Sequence, residues 1–387
     1  MGRALLLTGA TGALGPHLLR ELLQSDEFER IFVMVRPCTG SKHDPLERLE
    51  HALRQLDAGT GRYPLQVHPG RLIPLTGDVC QDDLGLESEL TDRLAHEIDV
   101  ILHAAANTWF TASRAALHEV NVNGTRHLLR LAGRCRHLRQ VLLVSTACVA
   151  GTRAGTIAEE INDERPDFVN FYEETKWQAE RLTAFAELPV RIARLSTCIG
   201  DGQTGFVQRF GAIHHSLRWF MRGLLPLVPG ADGSRLDLIP TDLAARWLAR
   251  AAGQTVDRIE VCQVAAGHQA IPLTELLEFV VQHLRLGTSG WRGHQIEAPT
   301  IVDAATFEVF ERTAVQSGDP LFGRVLESVR SFLPALLYPK VYQTHRAEAC
   351  WGGPLPLGDW RSTLGNVIDF VAAHRRRTRA GAGVTYA

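Results

Sequence analysis

Short unbroken apolar runs alternate with stretches of helical periodicity over the first two thirds of the chain. RALLLT (3–8), IFVMV (31–35), RLIPLTGDV (71–79), DVILHAAA (99–106), QVLLVST (140–146) and VRIARLS (190–196) read as strands. Strands buried on both faces give continuous Val, Ile and Leu rather than alternation. Between them, 13–24, 44–57, 112–132 and the segment around 171–182 read as helices. Strand and helix in turn predict right-handed βαβ crossovers and a parallel sheet covered on both faces. After Gly200 the rhythm changes. Residues 206–223, 240–252, 272–284, 302–316, 320–333 and 358–376 read as helices, 225–234 as a turn-rich loop and 259–265 as one more strand of the main sheet. The expected class is α/β, a doubly wound parallel sheet (1–200 plus 236–265) with a smaller, mostly helical C-terminal lobe (201–235 plus 266–387) that binds substrate. Pro and Gly clusters at 225–233 and 353–358 read as loops within that lobe.

Composition narrows the function. The chain has 387 residues, a net charge of -2 and a pI near 6.8, with both signs interspersed, so nucleic acid is not expected as its main partner. Seven cysteines form no C-x-x-C pair and are odd in number, which fits reduced thiols rather than disulfides. The N-terminus enters an apolar strand with no h-region, and no apolar run approaches membrane-spanning length. A cytoplasmic protein with no membrane span is expected.

Strand 3–8 runs into TGATGALGPHLLREL, with Gly9, Gly12 and Gly15 spaced by three before an amphipathic helix. Glycines here let the backbone turn tightly and approach a pyrophosphate lying at the helix N-terminus. A Rossmann-type dinucleotide site formed by Thr8, Gly9, Thr11, Gly12, Ala13, Leu14 and Gly15 is the expectation. An acidic residue at the end of the second strand would mark NAD, but the sequence there is VMVRP. Arg36 suits a 2'-phosphate, so NADPH is expected; an ordinary surface arginine is the competing reading. Asp78 and Val79 follow the third strand, where an adenine would lie. Ala104, Ala105 and Ala106, in HAAAN, let a cofactor pack closely, although alanines at a buried strand end need no ligand to explain them.

Residues 171–182, FYEETKWQAERL, place Lys176 four residues after Tyr172, in a chain whose other lysines are Lys42 and Lys340. Arginine carries nearly all other positive charge, so a lysine retained beside a phenol points to chemistry. Positions i and i+4 share a helix face, where the cation would favour the phenolate and make the phenol a better acid. A solvated helix face is the bland alternative for this stretch alone.

The ordered set TGATGALG, GDV, HAAAN, NVNGT (121–125), VSTACV (144–149), Y-x-x-x-K and IARLSTCIG resembles the extended short-chain dehydrogenase/reductases up to about residue 265. The resemblance implies Thr146 as the hydroxyl that binds the substrate oxygen and Tyr172 as general acid. It implies Lys176 as the residue that holds the nicotinamide ribose and lowers the tyrosine pKa, with Asn121 in support. Sugar dehydratases of the superfamily carry Asp-Glu after the catalytic threonine, where Ala147-Cys148 stands here. Nucleotide-sugar epimerases usually show an acidic residue where Arg36 stands.

Within the superfamily, IARLSTCIGDGQTGFVQRF (192–210), with Arg194, Gly200-Asp201 and Thr204-Gly205, looks most like the thioester reductase and fatty acyl-CoA reductase branch. That branch implies NADPH-dependent reduction of an acyl thioester, on coenzyme A or an acyl or peptidyl carrier protein, to an aldehyde or alcohol. Leu195-Ser196 departs from the family's Pro-Ser, beside Leu195 and Thr197 at the expected nicotinamide end. No carrier or adenylation domain is legible, so the thioester is expected from a separate protein or as free coenzyme A. Asn107, Trp109, Phe110, Cys148 and Phe206 are the expected substrate contacts. Cys148 reads better as a small buried residue than as an acyl-enzyme nucleophile. Another extended short-chain dehydrogenase (a carbonyl or hydroxysteroid-like dehydrogenase, or an epimerase) and a non-catalytic NADP-binding regulator are the alternatives.

Several features are set aside. Arg209, Arg218 and Arg222 suit phosphates or a solvated helix face. Phe206, Phe210, Ile213, Leu217 and Phe220 suit an acyl tunnel or core packing equally. His214-His215 lacks a second cluster at ligand spacing, so no metal is expected. The run HRRRTR (374–379) would attract an acidic carrier protein, with a basic tail as the default reading.

Overall fold

Ala4–Thr8 (β1) is buried at every position, and its side chains alternate between two cores, as a strand's period of two requires. The computed structural model describes residues 2–37, 44–64, 68, 70–161, 164–287, 297–330 and 332–380. Joining β1 are β2 (Arg30–Val35), β3 (Leu72–Thr76), β4 (Val100–His103) and β5 (Gln140–Thr146). Beyond the short β6 (Gly155–Ile157) come β7 (Val190–Leu195), the minor strands β8 (Thr197–Cys198), β9 (Leu227–Pro229), β10 (Arg235–Leu236) and β11 (Leu238–Ile239), and then β12 (Ile259–Val264). The main sheet has seven strands in the order β12-β7-β5-β4-β1-β2-β3, and every pairing in it is parallel. Strand order reverses between β1 and β4, which opens a crevice at their carboxyl ends.

Helices cover both faces. On one lie α1 (Gly15–Gln24) and α2 (Pro45–Thr60), and on the other α3 (Ser88–Glu97), α4 (Arg114–His118), α5 (Gly124–Arg134) and α6 (Phe171–Ala184). The lobe that follows begins with α7 (Ala212–Phe220). Helix α8 (Thr241–Gly253) returns to the α1 face, where Trp247 is fully buried. The lobe continues with β13 (Ile271–Pro272), α9 (Leu273–Leu286), β14 (Thr300–Val302), α10 (Ala304–Gln316), α11 (Pro320–Arg330), β15 (Lys340–Tyr342), α12 (His345–Trp351) and α13 (Trp360–Ala380). Its own core joins Leu217, Phe220, Leu277, Val280, Val329 and Val367. Two of the connections that tie the lobe back come from its C-terminal part. Ala347, Cys350 and Leu355 pack into the α1 and α8 core, so α12 crosses the lobe boundary expected at 266–387. Strand β15 pairs in parallel with β6, setting Lys340 opposite Gly155.

Some elements differ from expectation. The 112–132 helix is interrupted by a π turn at Glu119–Asn123. The 206–223 helix starts only at Ala212, because Asp201 Oδ1 accepts the N–H groups of Gln203 and Thr204 at 3.2 and 3.0 Å and holds a turn instead. Helices α3 and α12 are unanticipated.

Candidate active site

The cradle at the end of β1 is built by close backbone approach. Gly9 has φ +81°, and a Cβ there would lie 2.5 Å from the Ala104 carbonyl carbon. At Gly15 a Cβ would stand 2.3 Å from Ala10, so the start of α1 fits against the turn only as glycine. Thr11, Gly12, Ala13 and Leu14 form that turn, with Gly12 N donating to Gly9 O at 3.0 Å. Thr8 Oγ1 accepts from Ala105 N at 3.2 Å and pairs with His103 Nδ1 at 2.8 Å, fixing the β4 end on which Ala104, Ala105 and Ala106 follow. His103 is held neutral, its pKa lowered to about 3 by burial and then by the Lys176 charge. The carboxylate of Asp78 accepts from Cys80 N at 3.0 Å, and Val79 packs on Gly124. This cradle fits a dinucleotide: backbone N–H groups at a helix N-terminus, with no side chain in the way.

Thr146, Tyr172 and Lys176 come together at the ends of β5 and α6. Asn170 caps α6, accepting from Glu173 N at 3.0 Å, and this sets the register that turns Tyr172 inward. Tyr172 is buried beside Thr146, and Phe110 tilts against its ring at 5.1 Å. Burial pushes the phenol well above its ordinary value, with the neighbouring Cys148 adding to the rise and Thr146 opposing it. The net shift is upward, and Lys176 is not among its principal causes. Lys176 is itself buried and donates to Val144 O at 2.8 Å; burial lowers it to about 8, against the raising influence of Glu180. Tyr172 accordingly stays protonated at neutral pH, the form a proton donor needs. Asn121, in the π turn, ties the site together: its Nδ2 donates to Asn107 O and Thr175 Oγ1, both at 3.1 Å, and its Oδ1 accepts from Asn107 N at 2.8 Å. Such turns often occur at functional sites.

A cavity opens next to these groups. Phe110, Cys148, Glu173, Thr197, Lys340 and Tyr342 are among the residues that line it. Lys340 reaches it because β15 pairs with β6, and its Nζ donates to Tyr338 O at 2.9 Å. Burial lowers its pKa, while the neighbouring Cys148 and Glu173 raise it. Glu173 is pushed up to about 7 by burial, although Val169 N donates to it at 3.0 Å and Lys340 lies close enough to oppose the shift. The Cys148 thiol is raised to about 11, chiefly by burial, so it is protonated and poorly nucleophilic.

Residues 7–248 match a family model described as Male sterility protein. The chain belongs to that family. It is 34% identical over 256 residues to a linear gramicidin synthase of Brevibacillus parabrevis, across 64% of this chain and 5% of that protein. Over 168 residues it is 32% identical to the chloroplastic fatty acyl-CoA reductase 2 of Arabidopsis thaliana, across 41% of this chain and 27% of that one. The terminal R domain from the myxalamid PKS-NRPS biosynthetic pathway superposes with a TM-score of 0.76 at 25% identity, over 97% of this chain and 91% of that one. The chain thus spans only a small part of the length of these curated relatives. The resemblance to extended short-chain dehydrogenase/reductases of the thioester reductase branch holds, and with it the oxidoreductase class and a nicotinamide cofactor. No described helix is long and apolar enough to cross a membrane.

For this male sterility family member, the remaining sequence expectations divide by position. Leu195 is buried opposite Thr146 in the sheet register, and Thr197 lines the cavity. Trp109 is 74% exposed at the rim. Phe206 does not join the cavity: its ring packs on Phe370 at 5.5 Å and occupies the space a side chain at Gly59 would need. Ile213, Leu217 and Phe220 are lobe core, while Arg218 and Arg222 lie over the rings of Phe210 and Trp219. His214 is a strut: its Nδ1 accepts from Gly211 N at 2.9 Å and its Nε2 meets Ile199 O at 3.0 Å. Among the described residues no group of three His, Cys, Asp or Glu could hold a metal ion. Of the run at 374–379, only the His374 side chain lies within the described residues.

Sequence reasoning missed Glu173, Glu180, Lys340 and Arg48. Glu180 binds Arg194 at 2.8 Å and takes the Ser145 hydroxyl at 2.5 Å, directly behind Lys176. Its signal was the spacing of Tyr172, Lys176 and Glu180 by four. For Lys340 it was the scarcity of lysine.

Proposed function

We propose that the chain is an NADPH-dependent reductase of an acyl thioester, carried on coenzyme A or on an acyl or peptidyl carrier protein. The observation that carries this reading is the buried Tyr172 beside Thr146, four residues before a buried Lys176 and next to the cavity lined by Phe110, Cys148 and Glu173. Thr8 to Gly15, Asp78, Val79 and Ala104 to Ala106 would hold the cofactor, with Lys176 at its ribose. Arg36 supports NADPH: it is exposed at the end of β2, and its carbonyl accepts the Arg48 guanidinium, which gathers two cations where a 2'-phosphate would lie. Bound there, the cofactor supplies a hydride to the thioester carbonyl carbon.

The chain's own residues do the rest. Thr146 and Tyr172 hold the substrate oxygen, and Tyr172 protonates it as negative charge develops. The resulting thiohemiacetal collapses with return of its O–H proton to the tyrosinate, the C–S bond breaks, and the thiolate leaves and takes a proton from solvent. No enzyme nucleophile is needed, in keeping with a protonated Cys148. The test is NADPH oxidation against a panel of acyl-CoA and acyl-pantetheine thioesters, with thiol and aldehyde or alcohol quantified together. Thiol released in step with NADPH supports the reading, and the ratio gives the end point. No thiol from any thioester, with NADPH consumed by simple ketones or aldehydes, leaves a carbonyl reductase instead.

A further inference from the structure

Two arginines from distant parts of the chain meet on one carboxylate at the edge of the catalytic cavity. Arg114, the first residue of α4, and Arg165, in the loop before α6, each donate a terminal N–H to Glu174 Oε1, at 2.7 and 2.9 Å. The Glu174 side chain is 6% exposed, whereas those of Arg114 and Arg165 are 60% and 57% exposed. Among the described residues each guanidinium makes that one hydrogen bond and more than half of each side chain stays exposed, Arg165 lying over the Phe168 ring at 5.5 Å. The cluster therefore carries a net charge of +1, in an arrangement that holds like charges together and keeps their free donors presented to solvent.

Its position is fixed relative to the chemistry. Glu174 lies on α6 two residues after Tyr172, and the Arg114 guanidinium stands 5.6 Å from the ring centroid of Phe171, the residue before it. Arg114 also follows four residues after Phe110, which lines the cavity and touches Tyr172. Trp109 and Phe171, the chain neighbours of Phe110 and Tyr172, are exposed. Apolar surface beside paired guanidiniums suits a ligand with an anionic head and an apolar, amide-bearing arm that enters the cavity.

Resting on the thioester reading above, we propose that Arg114 and Arg165 form an anion site that takes the phosphate of a phosphopantetheine-bearing substrate. Coenzyme A and a carrier protein both supply that phosphate at the same end of the same arm. Arginine offers parallel N–H donors matched to phosphate oxygens, and charge-assisted bonds of this kind are the stronger ones.

The experiment compares kcat/KM for an acyl-phosphopantetheine and for the acyl-pantetheine with the same acyl group, in the wild type, Arg114→Ala, Arg165→Ala and the double variant. The expected wild-type preference for the phosphorylated substrate is about tenfold or more, carried by KM and weakened by added salt. The double variant is expected to bring the ratio close to one, and Lys at both positions to restore part of it. Equal kcat/KM for the two substrates in the wild type, or an equal fall on both in the variants, overturns the site and leaves a structural role for the arginines. Turnover of the unphosphorylated thioester tests the parent reading separately, and its absence together with inert phosphorylated thioesters removes both. Acyl-CoA and the same acyl group on a carrier protein then assign the source, by which of the two loses activity in the double variant.

Discussion

Replacing Arg194 by Met removes the cation from an ion pair that has no solvent to fall back on. Arg194 is 0% exposed, and its guanidinium makes three contacts with Glu180, two at 3.1 Å and one at 2.8 Å. Glu180 also accepts from Ser145 Oγ at 2.5 Å, a bond the variant keeps. One hydroxyl cannot replace a guanidinium, so the carboxylate is left buried and largely uncompensated. Breaking such a pair from one side costs about 3–5 kcal/mol, against a total stability on the order of 5–15 kcal/mol. With a urea slope of about 2–3 kcal/mol/M, the unfolding midpoint should fall by roughly 1–2.5 M. The double variant Arg194→Met/Glu180→Met removes both charges and should recover most of that loss, as apolar replacements of buried pairs often do. Function should not recover with it, because Glu180 is the charge that raises the Lys176 pKa against burial. In the double variant Lys176 should lose its proton at lower pH, and the alkaline fall of kcat/KM should move down. A single variant costing less than about 1 kcal/mol, or a double variant that restores both stability and the pH profile, would refute this account of the pair.

Three further outcomes are expected. Arg36→Ala and Arg48→Ala should lower the ratio of kcat/KM with NADPH to that with NADH by about tenfold or more, as the proposed 2'-phosphate site requires; an equal loss with both cofactors refutes that site. Wild-type kcat/KM should fall as pH rises through about 8, where buried Lys176 loses its charge, and a profile flat to pH 9 would remove the ammonium from the mechanism. Glu173 has a folded pKa of about 7, above its ordinary value of 4.5, so its folded form binds the extra proton and its stabilisation is present at low pH and lost as pH rises to about 7. Urea unfolding of Glu173→Gln between pH 4.5 and 7.5 should show a flatter dependence than the wild type, by about 3 kcal/mol across the range, and parallel curves would contradict it.

The parallel sheet was legible because its strands are buried on both faces and so write themselves as unbroken apolar runs, as in Ala4–Thr8. The cradle was legible because close backbone approach at Gly9 and Gly15 tolerates no other residue. What failed to show were features set by tertiary pairing. Residues 206–211 carry helix-spaced aromatics, yet the Asp201 turn precedes them and His214 Nδ1 accepts the Gly211 N–H, so the helix starts at Ala212. Phe206 looked like a tunnel residue for the same reason, since its periodicity is real but its partners are Phe370 and the gap at Gly59. Lys340 belongs to the cavity only because β15 pairs with β6, a contact between residues far apart in sequence. The sign of the Tyr172 shift was equally hidden: charge spacing pointed down, and burial, which only the folded chain determines, pushed it up.

Helix α6 shows why these parts are coupled. One residue of helix turns the side chain by about 100°, and four residues bring it nearly back. Tyr172, Lys176 and Glu180 therefore form a slowly drifting stripe against β5 and β7, meeting Thr146, Val144 and Arg194 in turn. The two residues between Tyr172 and the next turn are thrown to other sides: Glu173 lines the cavity, while Glu174 holds Arg114 and Arg165 at the rim. A single cap, Asn170 on Glu173 N, fixes the phase of them all. A change of one residue in the loop before Asn170 would leave this order intact if the cap held. One residue inserted between Tyr172 and Lys176 would rotate the later side chains relative to the cap by about 100° and separate the phenol from its lysine. Tyr172, the cavity carboxyl and the rim cations are thus specified by one helical register, and an insertion between Tyr172 and Lys176 should abolish turnover even where the fold survives.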